Sequence, residues 1–414
     1  NRGHDYPIGF VRWTEQRNFE AVLDMLASGQ LEVRPLITHR FAFEDAPKAY
    51  ASLTGDNSGL GILLAYGAPS ESRFARAIAL SAPVQYGSGS PVVGVIGAGN
   101  YASRILIPAF KAAGARLHTI VTAGGINGVI HGAKAGFAQA STDIDAMLAN
   151  ETINTVAIVT RHDLHAAMVA KALAAGKNVF VEKPLAIDAD GLAQVQEAYT
   201  QAHARAGATG GPLLMVGFNR RFSPQVLKMK ALLQAVAEPK SLIITVNPGA
   251  IPANHWTQDN AVGGGRIIGE ACHFIDLMRY LVGHPITGVQ ARRMGDHAAV
   301  VLTEDKASIM LGFADGSFGS IHYLANGAAS YSKERVEIFT AGRVLQLDNF
   351  RKLKAYGWPG FGKFNLWRQD KGQKACAAAF LLGVREGRAA IAAQEIFEVA
   401  RVTLDVAGEL RRQQ

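Results

Sequence analysis

Four short runs in this chain carry residue types that do chemistry together. The first is Gly97-Ala98-Gly99-Asn100-Tyr101-Ala102, directly after the apolar run Val92 to Ile96. Glycines at these spacings let a backbone turn sharply and approach a pyrophosphate, whose charge meets the N-terminus of the following helix. The second run, Thr160-Arg161-His162-Asp163-Leu164-His165, places two imidazoles after another apolar stretch. The third is Glu182-Lys183-Pro184, where a lysine at a strand end serves either as an acid or base in a partly apolar cleft or as an exposed loop residue. The fourth, Gly263-Gly264-Gly265 through Gly269-Glu270-Ala271-Cys272-His273 to Asp276, opens a helix. There Asp276 shares a face with His273, and either orients it or binds an arginine.

The elements that must position these runs follow from periodicity. Apolar strands at Val92–Ile96, Leu117–Val121, Asn154–Val159 and Asn178–Val181 alternate with helices at Ala102–Ala113 and Leu164–Ala175, the latter ended by Gly176. Such alternation predicts a doubly wound parallel sheet of the Rossmann kind, which binds ligands at the carboxyl ends of its strands. After about Leu213 the pattern turns β-rich, with runs at 242–246, 289–293, 298–302, 308–313, 317–323 and 336–340. Helices at 274–281, 375–385 and 392–411 complete this half. The fold class expected is α/β: a Rossmann sheet followed by an α+β domain with an open, mostly antiparallel sheet.

The expected division is 1–68 as an incomplete N-terminal piece, 69–90 as a linker with a helical turn or two around Phe74–Leu80, 91–212 as the dinucleotide-binding domain, and 213–414 as the substrate and oligomerisation domain. The C-terminal helices are allowed to pack back on the Rossmann domain. The N-terminal piece shows an amphipathic helix over 17–28, a short helix over 43–53 and a strand over 61–66, but little apolar surface for a core of its own.

Composition excludes several classes. The chain has 414 residues, 49% hydrophobic and 18% charged, so it is not disordered. Two cysteines, Cys272 and Cys376, exclude a disulfide scaffold and a multi-cysteine zinc site, and no metal is expected. The net charge of +8 is scattered, which speaks against nucleic acid. No apolar run reaches the length of a membrane span and no signal peptide follows Asn1, so a cytoplasmic protein lacking its true N-terminus is expected.

The combination Gly97-Ala98-Gly99-Asn100, Glu182-Lys183-Pro184, Gly217-Phe218-Asn219-Arg220-Arg221-Phe222, Gly264-Gly265 and His273-x-x-Asp276 resembles the glucose–fructose oxidoreductase, inositol dehydrogenase and rhizopine-catabolism (Gfo/Idh/MocA) family over residues 92–414. The resemblance implies hydride transfer between a nicotinamide cofactor, NAD or NADP, and a secondary hydroxyl of a sugar. It implies that Lys183 hydrogen-bonds the reacting hydroxyl and that His273 is the acid/base partner. It implies further that Gly97, Gly99, Asn100, Tyr101, Ala102, Thr122, Thr160, His162, His165, Glu182, Lys183 and Pro184 line the cofactor site, His165 near the nicotinamide ribose, although His162 alternatively only caps a helix. Substrate contacts are expected from Asn219, Arg220, Arg221, Trp256 and His273; Trp256 either stacks on a sugar or base or packs internally. Pairing of two copies through the second-domain sheet is implied as well.

Two departures stand out. The strand ending at Val121 runs into Thr122-Ala123-Gly124-Gly125, with neither the acidic residue for a ribose hydroxyl nor an arginine for a 2′-phosphate. Many relatives carry an aspartate four residues before the histidine, and here that position is Gly269 with Glu270 beside it. Either Glu270 reaches the site from a shifted position, or the Lys183–His273 pair suffices, or the chemistry differs. A one-residue step swings a helical side chain by about 100°, so the two positions are not interchangeable.

Residues 1–68 resemble the C-terminal end of zinc-type medium-chain alcohol dehydrogenases, through Leu36 to Phe41, Ala46, Ala49-Tyr50 and Gly61 to Tyr66. The joined arrangement is similar to two-part oxidoreductases associated with surface-polysaccharide and nucleotide-sugar pathways, which, together with Arg220, Arg221 and the Asn254-His255-Trp256 loop, makes an anionic sugar or nucleotide sugar the expected substrate. The alternatives are an NAD-dependent glycoside hydrolase of the same fold and a non-catalytic dinucleotide-binding protein.

Overall fold

The computed structural model describes residues 6–53, 59–67, 75–82, 87, 89–207 and 210–413. Two units separate, 1–75 and 76–414. In the first, Thr14 caps helix α1 (Glu15–Ala27), its hydroxyl accepting from the Arg17 backbone N–H. Strands β1 (Ile37–Ala42) and β2 (Gly61–Ala65) pair in parallel around α2 (Ala46–Ser52). Ala49 is the one buried apolar residue among those described here, while Phe19, Leu23 and Tyr50 are exposed. The unit has almost no core of its own, as its composition predicts.

The second unit holds two sheets. In the first, β3 (Ala77–Ala79) pairs antiparallel with β6 (Gln139–Ser141), at the edge of parallel strands β5 (Arg116–Val121), β4 (Val92–Ile96), β7 (Thr155–Ile158), β8 (Asn178–Val181) and β9 (Leu214–Val216). Strand β4 is buried at every position, as a central parallel strand covered on both faces must be. Helices α3 (Ile107–Ala112), α4 (Ile126–Ala135), α5 (Ile144–Ala149), α6 (His165–Ala174) and α7 (Ala189–Ala206) connect the strands. The strand order reverses about β4, so the crevice of a doubly wound sheet lies where β4 and β7 end.

Three expectations are corrected. The described part of Phe74–Leu80 is not helical: Ala77–Ala79 is the edge strand β3, because a segment this short gains more from backbone pairing with β6 than from an isolated helical turn. The boundary at 212/213 would cut the first sheet, since Leu214–Val216 is its outer strand, and the 3₁₀ turn Asn219–Phe222 follows it. Residues 298–302 form a turn with a single bridge between His297 and Val300, leaving Val301 exposed.

The second sheet runs in the order β11 (Ile286–Arg293), β12 (Lys306–Phe313), β13 (Phe318–Leu324), β10 (Ser241–Val246), β14 (Glu334–Thr340), β15 (Arg343–Asp348), β16 (Lys352–Tyr356), β17 (Lys363–Asn365). It is antiparallel throughout except between β10 and β13. Alternate residues such as Ile244, Ile309, Ile321 and Ile338 are buried, whereas Ile243, Met310, Phe318 and Phe339 are exposed on the other face. The buried face meets α9 (Cys272–Val282), whose Met278 sulfur lies so close to Gly319 that a Cβ there would sit 2.6 Å from it.

Helices α8 (Pro224–Leu233), α10 (Gln373–Glu386) and α11 (Ala393–Arg411) close the unit. The last two pack back on the first sheet's helices: Arg385 donates to the Ala113 carbonyl at 2.9 Å, and α11 contacts α7.

Candidate active site

The glycine turn begins where β4 ends. Gly97 has φ +105°, and a Cβ on it would meet the Val159 carbonyl oxygen at 2.5 Å, so the β4 and β7 ends approach as closely as backbone allows. A Cβ on Gly99 instead meets nothing within 4 Å, leaving open space at the N-terminus of the helix that starts at Asn100. At the end of β5, Thr122 Oγ1 is buried with no hydrogen-bond partner. An open slot at a helix N-terminus and an orphaned hydroxyl beside it fit a dinucleotide's pyrophosphate and ribose. Gly99→Val is expected to fill that slot and weaken NADH binding by more than tenfold in a fluorescence titration, with an unchanged circular dichroism spectrum.

His165 is fully buried, with Nδ1 2.6 Å from the Pro184 carbonyl oxygen and Nε2 3.3 Å from that of Thr160. Burial lowers its pKa to about 4, despite the two carbonyls. Neutral, it carries a single N–H, which donates to the nearer carbonyl, that of Pro184, so the ring tethers the loop after β8 to the start of α6 rather than standing as an open ligand. His162 does not cap the helix. Its Nδ1 lies 2.8 Å from the Gly263 carbonyl oxygen, 101 residues away in sequence, and its ring packs edge-on against Trp256 with centroids 4.7 Å apart. Burial, then Lys183, lowers its pKa to about 3.

Glu182 lies under the glycine-turn helix, beside the Tyr101 hydroxyl, and burial pushes its carboxyl up to about 7 against the pull of Lys183, Tyr101 and Arg220. Lys183 is part-buried, and its Nζ donates to the Gly269 carbonyl at 2.7 Å. That carbonyl belongs to a π-helical turn, Ile267–Ala271, leading into α9; such turns recur at functional sites. His273, on the first turn of α9, is buried, and its Nδ1 has no partner. Burial first, then Arg220, Lys183, Lys371 and Lys333, holds its pKa well below the ordinary value, so the imidazole is neutral. Lys183, which follows β8, thus meets the helical turn four residues before His273.

Other expected site residues have different tasks. Arg220 is buried and bidentate to Glu334, at 3.2 and 2.8 Å, and Lys371 shares that carboxylate at 2.8 Å. Arg221 is buried and bidentate to Asp276, with Glu395 at 3.0 Å from its Nη1. Both arginines are therefore committed to ion pairs that join the Asn219–Phe222 turn to β14, α9 and α11. Asn219 donates to the Lys371 carbonyl at 2.7 Å. Asp276 pairs with Arg221 and does not orient His273, whose Nδ1 stays unpaired. Arg221→Met would leave Asp276 buried without a partner. The expected cost is about 3–5 kcal/mol in urea unfolding.

Glu270 does not replace the missing aspartate. Its carboxylate takes the Tyr323 hydroxyl at 2.6 Å, Arg266 at 3.0 Å and Lys333 at 3.2 Å. Burial would raise its pKa, but Lys333, Tyr323 and Arg266 outweigh that and lower it to about 2. The register step points it at the second sheet. Gly269 itself faces His162: a Cβ there would lie 2.9 Å from the imidazole Cε1. Sequence reasoning named His162 and Gly269 separately and missed their contact, for which the chain carries no local signal.

Comparison with known proteins identifies the family and the fold. Residues 92–209 match the oxidoreductase family with an NAD-binding Rossmann fold, and residues 227–344 match the GFO/IDH/MocA C-terminal domain. The chain belongs to the Gfo/Idh/MocA oxidoreductase family. Both matched stretches lie within the unit 76–414.

Among Gfo/Idh/MocA relatives, inositol 2-dehydrogenase of Rhizobium meliloti is 25% identical over 262 residues, 59% of this chain and 74% of the relative. Myo-inositol 2-dehydrogenase of Thermotoga maritima is 26% identical over 228 residues, 53% of this chain and 64% of the relative. YrbE, an oxidoreductase of Bacillus subtilis, is 28% identical over 51% of this chain, which spans 60% of YrbE's length. The chain thus spans about three fifths to three quarters of these relatives. Levoglucosan dehydrogenase, solved with NADH and levoglucosan, shares the fold with a TM-score of 0.68 at 21% identity, over 78% of this chain and 98% of that one. GenD2 from gentamicin A biosynthesis, solved with NAD, does so with a TM-score of 0.63 at 21% identity, over 80% and 97%.

Proposed function

We propose that this protein is a nicotinamide-dependent dehydrogenase acting on a secondary hydroxyl of a sugar or nucleotide sugar. The observation that carries the reading is the pairing of Lys183, anchored on the Gly269 carbonyl, with the neutral, buried His273 beside a glycine turn built for a dinucleotide. Gly97, Gly99, Asn100, Tyr101, Ala102 and Thr122 would hold the cofactor's phosphates and ribose, with Glu182 beneath Tyr101. Thr160, Pro184 and His165 would support the nicotinamide end.

Bound NAD supplies the hydride acceptor. Lys183 spends one of its three N–H donors on Gly269 and aims the others at the reacting oxygen, stabilising the charge that develops as the C–H bond breaks. Neutral His273 has a lone pair for the hydroxyl proton. With the cofactor bound to take the hydride, the hydroxyl proton would pass to the His273 imidazole and a ketone would remain.

The inositol and levoglucosan dehydrogenases among the relatives and fold neighbours support a polyhydroxylated ring as substrate. Arg220 and Arg221, committed to carboxylates, no longer argue for an anionic one. With neither a carboxylate nor a guanidinium at Thr122–Gly125, NAD and NADP both fit the turn, and NAD is preferred on the family's description.

We also read residues 1–68 as the end of a medium-chain dehydrogenase module without an active site, the exposed face of the second sheet as the contact for a second copy, and the protein as cytoplasmic. No helix among the described residues is long and apolar enough to cross a membrane.

The test is reduced-nicotinamide formation from NAD or NADP with a panel of myo-inositol, levoglucosan, glucose, glucuronate and UDP-sugars. Net reduction with one ring substrate supports the reading. Release of a sugar without net reduction supports the glycoside hydrolase, and cofactor binding with neither reaction supports the non-catalytic protein.

A further inference from the structure

We propose that His162 takes the place of the carboxylate that Gly269 lacks, offering its Nε2 as a neutral hydrogen-bond acceptor to the substrate. The inference rests on the dehydrogenase reading above and adds a specificity-determining residue to it.

Three observations carry it. First, the imidazole occupies the room of a side chain at 269: a Cβ there would lie 2.9 Å from His162 Cε1 and 3.4 Å from Nδ1. The ring and a carboxylate at 269 are mutually exclusive in this arrangement. Second, the ring's orientation and tautomer are set. A carbonyl oxygen only accepts, so the 2.8 Å contact to Gly263 places the proton on Nδ1 and leaves the lone pair on Nε2. Trp256 closes on the ring edge-on, and the backbone N–H of Asp163 donates to the Val262 carbonyl at 3.1 Å, so the turn is held to the same loop. Third, Nε2 is bonded to no protein group and is not among the fully buried orphaned atoms, while the residue as a whole keeps 7% of its surface exposed. It is an acceptor held ready for something outside the protein.

The site it faces is already fixed at the other end. Gly269 presents its side-chain position to the ring while its carbonyl accepts from Lys183, so His162 and Lys183 meet at one residue. A ring polyol whose reacting oxygen sits on Lys183 would bring a neighbouring hydroxyl to Nε2. The acceptor is uncharged across the physiological range, because burial keeps the imidazole neutral. A hydroxyl donor suits it, whereas a carboxylate at 269 would also have attracted cations.

Asparagine and glutamine separate the two nitrogens. His162→Asn keeps a donor where Nδ1 lies and removes the Nε2 acceptor; His162→Gln places an amide oxygen near Nε2. The measurements are kcat/KM on the best substrate of the panel, and calorimetric binding of that substrate to the enzyme–NADH complex. H162N is expected to lose about tenfold in both, with thermal midpoint and NADH affinity unchanged, and H162Q to recover most of the loss. G269D alone is expected to unfold at lower temperature than wild type, and G269D/H162N to regain that loss along with substrate binding.

Wild-type binding and turnover in H162N would overturn the proposal. So would equal losses in H162N and H162Q, because the ring would then matter only for its shape. Failure of the wild-type protein to turn over any panel member would instead fell the dehydrogenase reading, and this proposal with it.

Discussion

Lys183→Met is expected to lower kcat on the best panel substrate by about 10²–10⁴-fold, the usual worth of a positioned acid–base group with its charge stabilisation. Methionine keeps the length and the apolar contacts of the side chain and removes every N–H donor. The Gly269 carbonyl then loses its partner, but it belongs to a part-exposed contact and water can replace the amine. NADH affinity should therefore change little, because the phosphate loop and Thr122 are untouched. Stopped-flow measurement of hydride transfer, alongside a fluorescence titration with NADH, checks both halves. Full activity in this variant would remove Lys183 from the chemistry.

The second large effect is on stability against pH. His162, His165 and His273 are buried and neutral, with folded-state pKa values of about 3, about 4 and well below the ordinary value. In the unfolded chain each titrates near 6.5, so below that pH the unfolded state binds more protons and stability falls. At pH 5 His162 and His165 each contribute a loss of about 2 kcal/mol relative to pH 8, about 4 kcal/mol for the two, and His273 adds to it in the same direction.

Glu182 has the opposite sign. Its carboxyl sits at about 7 in the folded protein, above its unfolded value, so the folded state is the better proton acceptor as pH falls through 7. That returns about 2.5 kcal/mol by pH 5, and Asp276, which burial raises to about 6, returns about 1.4 kcal/mol more, so the loss from the three histidines is partly offset. Urea unfolding at pH 8 and pH 5 measures the difference. In Glu182→Gln that part of the compensation is absent, and the acid loss is expected to rise by about 2.5 kcal/mol. A wild-type stability that is flat between those pH values would mean that the imidazoles are not held neutral.

Much of this protein was legible in its order of residues. The alternation that predicts β4, β5, β7 and β8 is local, and so are the glycine spacing after β4 and the lysine after β8; their periods and turns are written within a few residues. The order of the motifs also set which strand end each would occupy, because parallel strands joined by helices bring their carboxyl ends to one edge. Local reasoning missed α4, α5, α7 and α8, and the strands β15 to β17, whose apolar positions are sparse or shared with charge; their burial is supplied by neighbours rather than by their own pattern. It misread the segment before β4 because β3 exists only through its pairing with β6, some 60 residues downstream.

What the tertiary structure alone decided is the state of the charged groups. Arg220 and Arg221 are indistinguishable from substrate ligands in one dimension, yet their partners Glu334 and Asp276 stand 114 and 55 residues away and consume them. Glu270 sits one residue from the expected carboxylate, and the helical step turns it towards Tyr323, Arg266 and Lys333. The contact between His162 and Gly269 spans more than a hundred residues and depends on two loops closing on each other. A residue's type and neighbours along the chain determine which chemistry is available to it; the electrostatic partners that fold against it determine whether that chemistry is free to be used, because a buried charge is neutralised by whatever lies nearest in space.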